Sequence, residues 1–324
     1  QGKIQDAITQ YRQALGLNPN LEEAHYNLGL AWYRQGQPDA AAVAFKRAIA
    51  INPNFVEAHY NLGLALDGQG KFSEATKEYL EVIRLDPNNA SAYYNLGLIV
   101  AKEGKVEEAT SLLEQAIDAD PYFAAPYYQL GLLYAKQNQL ELARDALYRA
   151  VVLEPENPLA QYHLGLVLAQ LEDYSNASDR FERTVALTPN NVSAYQQLGI
   201  ALVERNKPNE AVIAFQQTIR LNPDDALSYY NLGVAYHLDD RYPEAITQYK
   251  EATRLNPKLA EAFYNLGIAL QQSELSKAAV PVLLEARKLF REQKRLDKVQ
   301  EIDLYLQQRI IPAISPVQSP DANN

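Results

Sequence analysis

Eight side chains that can donate and accept hydrogen bonds stand 34 residues apart: Asn27, Asn61, Asn95, Gln129, His163, Gln197, Asn231 and Asn265. An amide side chain carries two donor protons and a carbonyl acceptor. A column of such groups suits the peptide bonds of an extended chain and pays little regard to that chain's side chains. The same groups could instead bridge neighbouring helices or cap backbone, and the sequence leaves both uses open. One residue earlier runs a tyrosine column, Tyr26, Tyr60, Tyr94, Tyr128, Tyr162, Tyr230 and Tyr264, interrupted by Gln196. Three residues after each polar position comes an aliphatic one, from Leu30 and Leu64 to Val234 and Ile268. Tyr26, Leu30 and Tyr33 share one helical face at i, i+4 and i+7. Tyrosine joins an apolar body to a polar tip, which favours it at interfaces. Packing between successive helices is the plainer use of the same column.

Other chemistry finds little support. The chain has no Cys, which removes disulfides, thiolate metal sites and a thiol nucleophile together. His25 and His59 fall on different repeats in a packed stripe, and His163 and His237 are two repeats apart, so no shared metal is expected. No nucleophile–base pairing, phosphate loop or zinc spacing stands out, so the chain reads as a non-enzyme that calls for no cofactor or metal. Paired acids such as Glu22-Glu23 and Glu107-Glu108 sit at expected helix starts, where the helix dipole accounts for them.

The elements that must position these columns follow from two further series. Prolines fall at 19, 53, 87, 121, 155, 189, 223 and 257, and glycines at 29, 63, 97, 131, 165, 199, 233 and 267. An unbroken period of this length marks stacked supersecondary units rather than one central core. In the unit Glu22 to Phe55, His25, Leu28, Gly29 and Trp32 form one helical stripe, and Ala41, Phe45, Ala48 and Ile49 a second. Gly36-Gln37 breaks the first helix, and Pro38 suits the first turn of the next. Asn52-Pro53 stops that second helix, because the residue before proline avoids the α region. Each unit is therefore a hairpin of helix A and helix B. Glycine in mid-helix costs about 1 kcal/mol against alanine, and close approach of A to B opposite Ala41 and its equivalents is the expected return.

This pattern closely resembles the tetratricopeptide repeat over about residues 1–290. The small residue in helix A, the early Ala in helix B, the aromatic or Leu four residues on (Tyr11, Phe45, Tyr79, Leu113 and onward) and the inter-repeat Pro all match. The resemblance implies an all-α fold: a right-handed superhelical α-solenoid of helical hairpins, A helices lining the concave side, with a C-terminal capping helix. The expected organisation is a partial repeat over 1–21 (helix B only), eight units of 34 residues over 22–291, a capping helix over 292–311 and a disordered tail over 312–324. The cap is expected to run on from Leu289-Phe290, with Leu296, Val299, Ile302, Leu306 and Ile310 on one side. Pro281, slightly inside the last helix B, implies a mild kink or a late start. The first helix carries Ile4, Ile8, Tyr11 and Leu15, whose covering helix A is not in the sequence. The chain has no Met, so it is expected to extend upstream of Gln1, or else to self-associate through that open face.

The net charge of −10 divides into +3 over Lys277–Arg309 and −13 elsewhere. Such acidity repels phosphate backbones and argues against nucleic acid. No apolar run reaches the roughly 18 residues of a membrane span, which favours a cytoplasmic setting and leaves room for an upstream signal or anchor. The family's carboxylate clamp for chaperone C-termini needs Lys in the tyrosine column and Asn in the aliphatic one. Neither is present, which argues against chaperone-tail binding. The leading expectation is a scaffold that binds a client protein segment in the concave groove, as assembly factors for larger complexes do. The Asn column is similar to that of the repeat arm of O-linked N-acetylglucosamine transferases, so a substrate-recruiting arm of an enzyme is the alternative. A carrier of lipid or pigment in the aromatic groove is a third reading.

Overall fold

The computed structural model describes residues 2–314. Among them every regular element is a helix. The chain divides between Pro155 and Glu156 into two compact units. The first holds α1 (Gly2–Leu17) and four hairpins: α2 (Glu22–Arg34) with α3 (Pro38–Ile51), α4 (Val56–Gly68) with α5 (Phe72–Leu85), α6 (Ala90–Lys102) with α7 (Val106–Ala119), and α8 (Ala124–Lys136) with α9 (Leu140–Leu153). The second holds α10 (Pro158–Gln170) with α11 (Tyr174–Leu187), α12 (Val192–Glu204) with α13 (Pro208–Leu221), α14 (Ala226–Leu238) with α15 (Tyr242–Leu255), and α16 (Ala260–Gln272) with α17 (Ser276–Glu292). Then follow α18 (Leu296–Tyr305), a π-helical turn over Leu306–Ile310, and α19 (Ile311–Ile314). Within each unit every helix packs on the next, as a solenoid of helix pairs requires.

The hairpins close through two recurring turns. Between A and B, one residue takes the left-handed conformation in every repeat: Gly36, Gly70, Gly104, Asn138, Glu172, Asn206, Asp240 and Glu274. Glycine does this freely, whereas a side chain costs roughly 1–2 kcal/mol. Between B and the next A, the side chain before proline folds over the turn. Asn18, Asn52, Asp86, Asp120 and Asn256 each accept from the backbone N–H two residues on, at 2.9–3.3 Å. Asn52 itself is extended, with φ −124° and ψ 93°, as its proline demands. Pro38 occupies the first turn of α3 as expected.

The mid-helix glycines serve a different neighbour from the one their spacing suggests. A Cβ on Gly29 would lie 2.5 Å from the Phe45 ring, and on Gly63, 2.6 Å from the Tyr79 ring. The same holds down the series to Leu283 against Gly267, except that a Cβ on Gly97 would stay 3.2 Å from Leu113. The residue admitted is thus the large one in helix B, not the Ala four positions before it. The large side chain lies across the flat face of the A helix, and Phe45, Tyr79, Phe181 and Tyr249 are fully buried there. Tyr11 in α1, at the equivalent place, remains part-exposed, although Ile8 beside it is buried.

The C-terminal end also differs from expectation. A continuous helix from Glu292 is interrupted: α17 stops at Glu292, Lys294 turns left-handed, and α18 begins at Leu296. The chain thus leaves its last B helix by the turn that other repeats use between A and B. Val299, Ile302 and Ile310 are buried, while Leu296, the first residue of α18, is 60% exposed. Pro281 lies inside α17, which starts at Ser276, so no late start occurs. Helix persists to Ile314, and the rest of the expected tail lies outside the described residues.

Candidate functional site

The tyrosine, polar and aliphatic columns all fall on the A helices, and every member is half-exposed. The Leu immediately before each glycine is buried from Leu62 to Leu266, and the glycines are buried throughout. The period of 34 therefore sets one stripe of each A helix into the core and the next stripe at the surface.

The first two columns are joined to each other. The Asn61 amide donates to the Tyr26 hydroxyl at 3.2 Å, Asn95 to Tyr60 at 3.1 Å, and Asn265 to Tyr230 at 3.2 Å. Gln129 reaches Tyr94 in the same manner. Each amide thus bridges to the preceding A helix. Asn61 and Asn95 also donate to the carbonyls of Glu57 and Ser91, at 2.8 and 2.9 Å, and the His163 ring pairs with the Leu159 carbonyl at 2.9 Å. This bridging consumes amide N–H and leaves the side-chain oxygen as an acceptor. The tyrosine rings are held from behind: Tyr26 lies 4.9 Å from Phe55 and 5.9 Å from Phe45, and Tyr94 lies 5.1 Å from Phe123. Burial raises the hydroxyl pKa of Tyr26, Tyr94, Tyr128, Tyr162 and Tyr230. These phenols stay protonated, so a hydroxyl that accepts from Asn still has its own proton to give.

The ladder is interrupted once and extended once. On α12 the tyrosine position is Gln196, and the Tyr162 hydroxyl is bonded to Ser193 rather than to Gln197. Sequence reading registered the interruption but not its effect on the neighbours, because the bridge links residues 35 apart on separate helices. At the other end Tyr264 donates to Glu301 on α18 at 2.5 Å, and Lys298 pairs with that carboxylate at 2.6 Å. Arg295 binds Glu261 at 2.7 Å, and Tyr305 donates to Gln271 at 2.9 Å. By these contacts α18 takes the place of a further A helix.

The histidines are structural in their contacts. The rings of His25 and His59 each pair with a proline carbonyl, Pro19 and Pro53, at 3.0 Å. His59 also meets Glu78 at 2.7 Å, and that hydrogen bond raises its pKa. Burial lowers the pKa of His237. Among the described residues no three His, Asp or Glu side chains gather as a metal site, and no helix is long and apolar enough to cross a membrane.

Comparison with known proteins agrees with this architecture. The family model described as "Cilia and flagella-associated protein 70 C-terminal domain" matches residues 1–188, and the "TPR repeat" model matches 201–240 and 239–273. No curated protein sequence matches the chain. The solved structure described as "Crystal structure of YrrB: a TPR protein with an unusual peptide-binding site" is similar at 26% identity and a TM-score of 0.55, over 57% of this chain and 95% of that one. "MamA 41-end from Desulfovibrio magneticus RS-1" is similar at 26% identity and a TM-score of 0.50, over 52% of this chain and 96% of that one.

Proposed function

The chain belongs to the tetratricopeptide-repeat family, and from that premise we propose that it is a non-enzymatic scaffold that binds a client protein segment along its A-helix face. The observation that carries this is that three columns are half-exposed on every A helix of each unit, each unit taken by itself. Within each unit they present amide oxygens, tyrosine hydroxyls and aliphatic side chains side by side. A peptide backbone needs both donors and acceptors, and its side chains need apolar surface, and this face supplies all three. The peptide-binding site reported for YrrB supports the same use of the fold. Service as an assembly factor, bringing a client to a larger complex, is the role we assign to such binding.

The experiment is a binding screen of the purified protein against an immobilised library of acetylated, amidated peptides. The tightest peptide is then titrated against Asn61→Ala with Asn95→Ala. Loss of those groups is expected to weaken binding by more than ~1 kcal/mol, typical of lost hydrogen bonds, at unchanged helicity. Unchanged affinity would remove the polar column of the first unit from the reading, and a protein that binds no peptide would overturn it altogether.

A further inference from the structure

In seven of the eight repeats the column before the polar one is tyrosine, and only α12 carries an amide there, Gln196. One consequence follows on the second unit, and a separate bond at Tyr162 adds to it. The shorter Gln196 offers no phenol to the next A helix, so Asn231 on α14 has no bridge to make. Tyr162 is bonded to Ser193, and among the described residues no bond joins it to Gln197. Among the described residues, none hydrogen-bonds the side chains of Gln196, Gln197 or Asn231. Three whole amides, each with two donors and an acceptor, are therefore left together on two A helices that touch, all half-exposed. On α4, α6 and α16, by contrast, the amide donates to the tyrosine of the preceding A helix.

The surroundings narrow what such a cluster would take. Ile200 and Val234 flank it in the aliphatic column, and Leu227, at the start of α14, is 47% exposed. Near the end of α12, Arg205 is turned away to Ser178 and Lys207 is paired with Glu210, and His237 on α14 is held toward its neutral form by burial. A carboxylate or phosphate would find no cation here. An uncharged strand of peptide would find donors and acceptors for its backbone and apolar contact for its side chains.

We propose that the break in the tyrosine–amide ladder at Gln196 is a peptide-backbone reading site, where Gln196, Gln197 and Asn231 hydrogen-bond an extended, uncharged segment of a client. This deepens the proposed function and rests on it. The contacts read backbone, so the side chains of that segment are chosen by Ile200, Val234 and Leu227, which favour aliphatic ones.

The test uses the full chain and the tightest peptide from the acetylated, amidated library. Two variants are titrated by fluorescence anisotropy. The first is Gln196→Ala, Gln197→Ala and Asn231→Ala together, which removes the amides. The second is Gln196→Tyr, which supplies Asn231 with a hydroxyl and closes the ladder. Both are expected to weaken binding at least about tenfold, the sum of two or more lost hydrogen bonds. Gln196→Tyr is further expected to melt no lower than the parent, which separates lost recognition from lost folding. N-methylation of the peptide bonds is expected to abolish binding to the parent. If both variants bind as the parent does while Asn61→Ala with Asn95→Ala binds more weakly, this site is refuted and client binding on the A-helix face stands. A parent protein that binds no library peptide would remove both.

Discussion

Replacing Gly199 by alanine sets two effects against each other with magnitudes the structure supplies. Alanine in a helix interior gains about 1 kcal/mol over glycine. Against that, the new Cβ would lie 2.5 Å from one ring carbon of Phe215 and 2.6 Å from another. Phe215 is buried on all sides, so its ring has no free space to enter. Forcing a methyl into a packed core costs about 1–3 kcal/mol. The net expectation is destabilisation of up to ~2 kcal/mol. Gly97→Ala is the internal control, because its Cβ would come no nearer than 3.2 Å to Leu113. There the overlap is smaller, so Gly97→Ala should cost less than Gly199→Ala. Denaturant unfolding should be fitted with a nearest-neighbour repeat scheme, since a solenoid need not unfold in two states. Adding Gly199→Ala to a Phe215→Ala background should cost nothing, because the ring that opposed it is gone. The reasoning is refuted if Gly199→Ala is as stable as the parent, or if the cost persists without the Phe215 ring.

Three further outcomes follow from the same geometry. His59 titrates above its unfolded value because it is bonded to Glu78, so the stability it contributes is full below about pH 6.5 and is lost as pH rises through the raised folded value. Thermal melts of the parent and His59→Gln should therefore differ more at about pH 5.5 than at about pH 8.5, and a difference independent of pH contradicts this. Glu172→Gly and Glu274→Gly relieve left-handed turns at φ 61° and 62° and should raise the melting temperature, each gaining about 1 kcal/mol or less after the cost of a looser unfolded chain; unchanged or lower stability would show those turns to be unstrained. Ile302→Ala empties a wholly buried place between α18 and α17 and should cost about 2–4 kcal/mol, with hydrogen exchange rising in α17 and α18, whereas an unaffected α17 would show that α18 does not cover it.

The repeat pitch, the helix pairs and the proline turns were legible because each depends on residue type at a fixed spacing along one chain. What was not legible depends on register between helices. Gly29 lies 12 residues before Ala41 and 16 before Phe45, and spacing alone does not say which one crosses it. The left-handed turn is glycine in three repeats and Asn, Asp or Glu in the others, so its regularity is one of backbone, not of residue type. The bend at Lys294 is hidden because the apolar pattern continues across it. The polar column was legible as a column, but its pairing with the tyrosine of the preceding repeat, and hence the effect of Gln196, appears only when two A helices are set side by side.

A client lying along the A-helix face must come within reach of a probe set into that face, and site-specific photocrosslinking reads this out. A benzophenone amino acid is placed at Ile200, in the aliphatic column of α12, or at Ile213, which is 62% exposed on α13. Each protein is irradiated with the tightest library peptide. A crosslinked product is expected from position 200, suppressed by excess unlabelled peptide, and none from position 213. Crosslinking from position 213 with none from position 200 would contradict it.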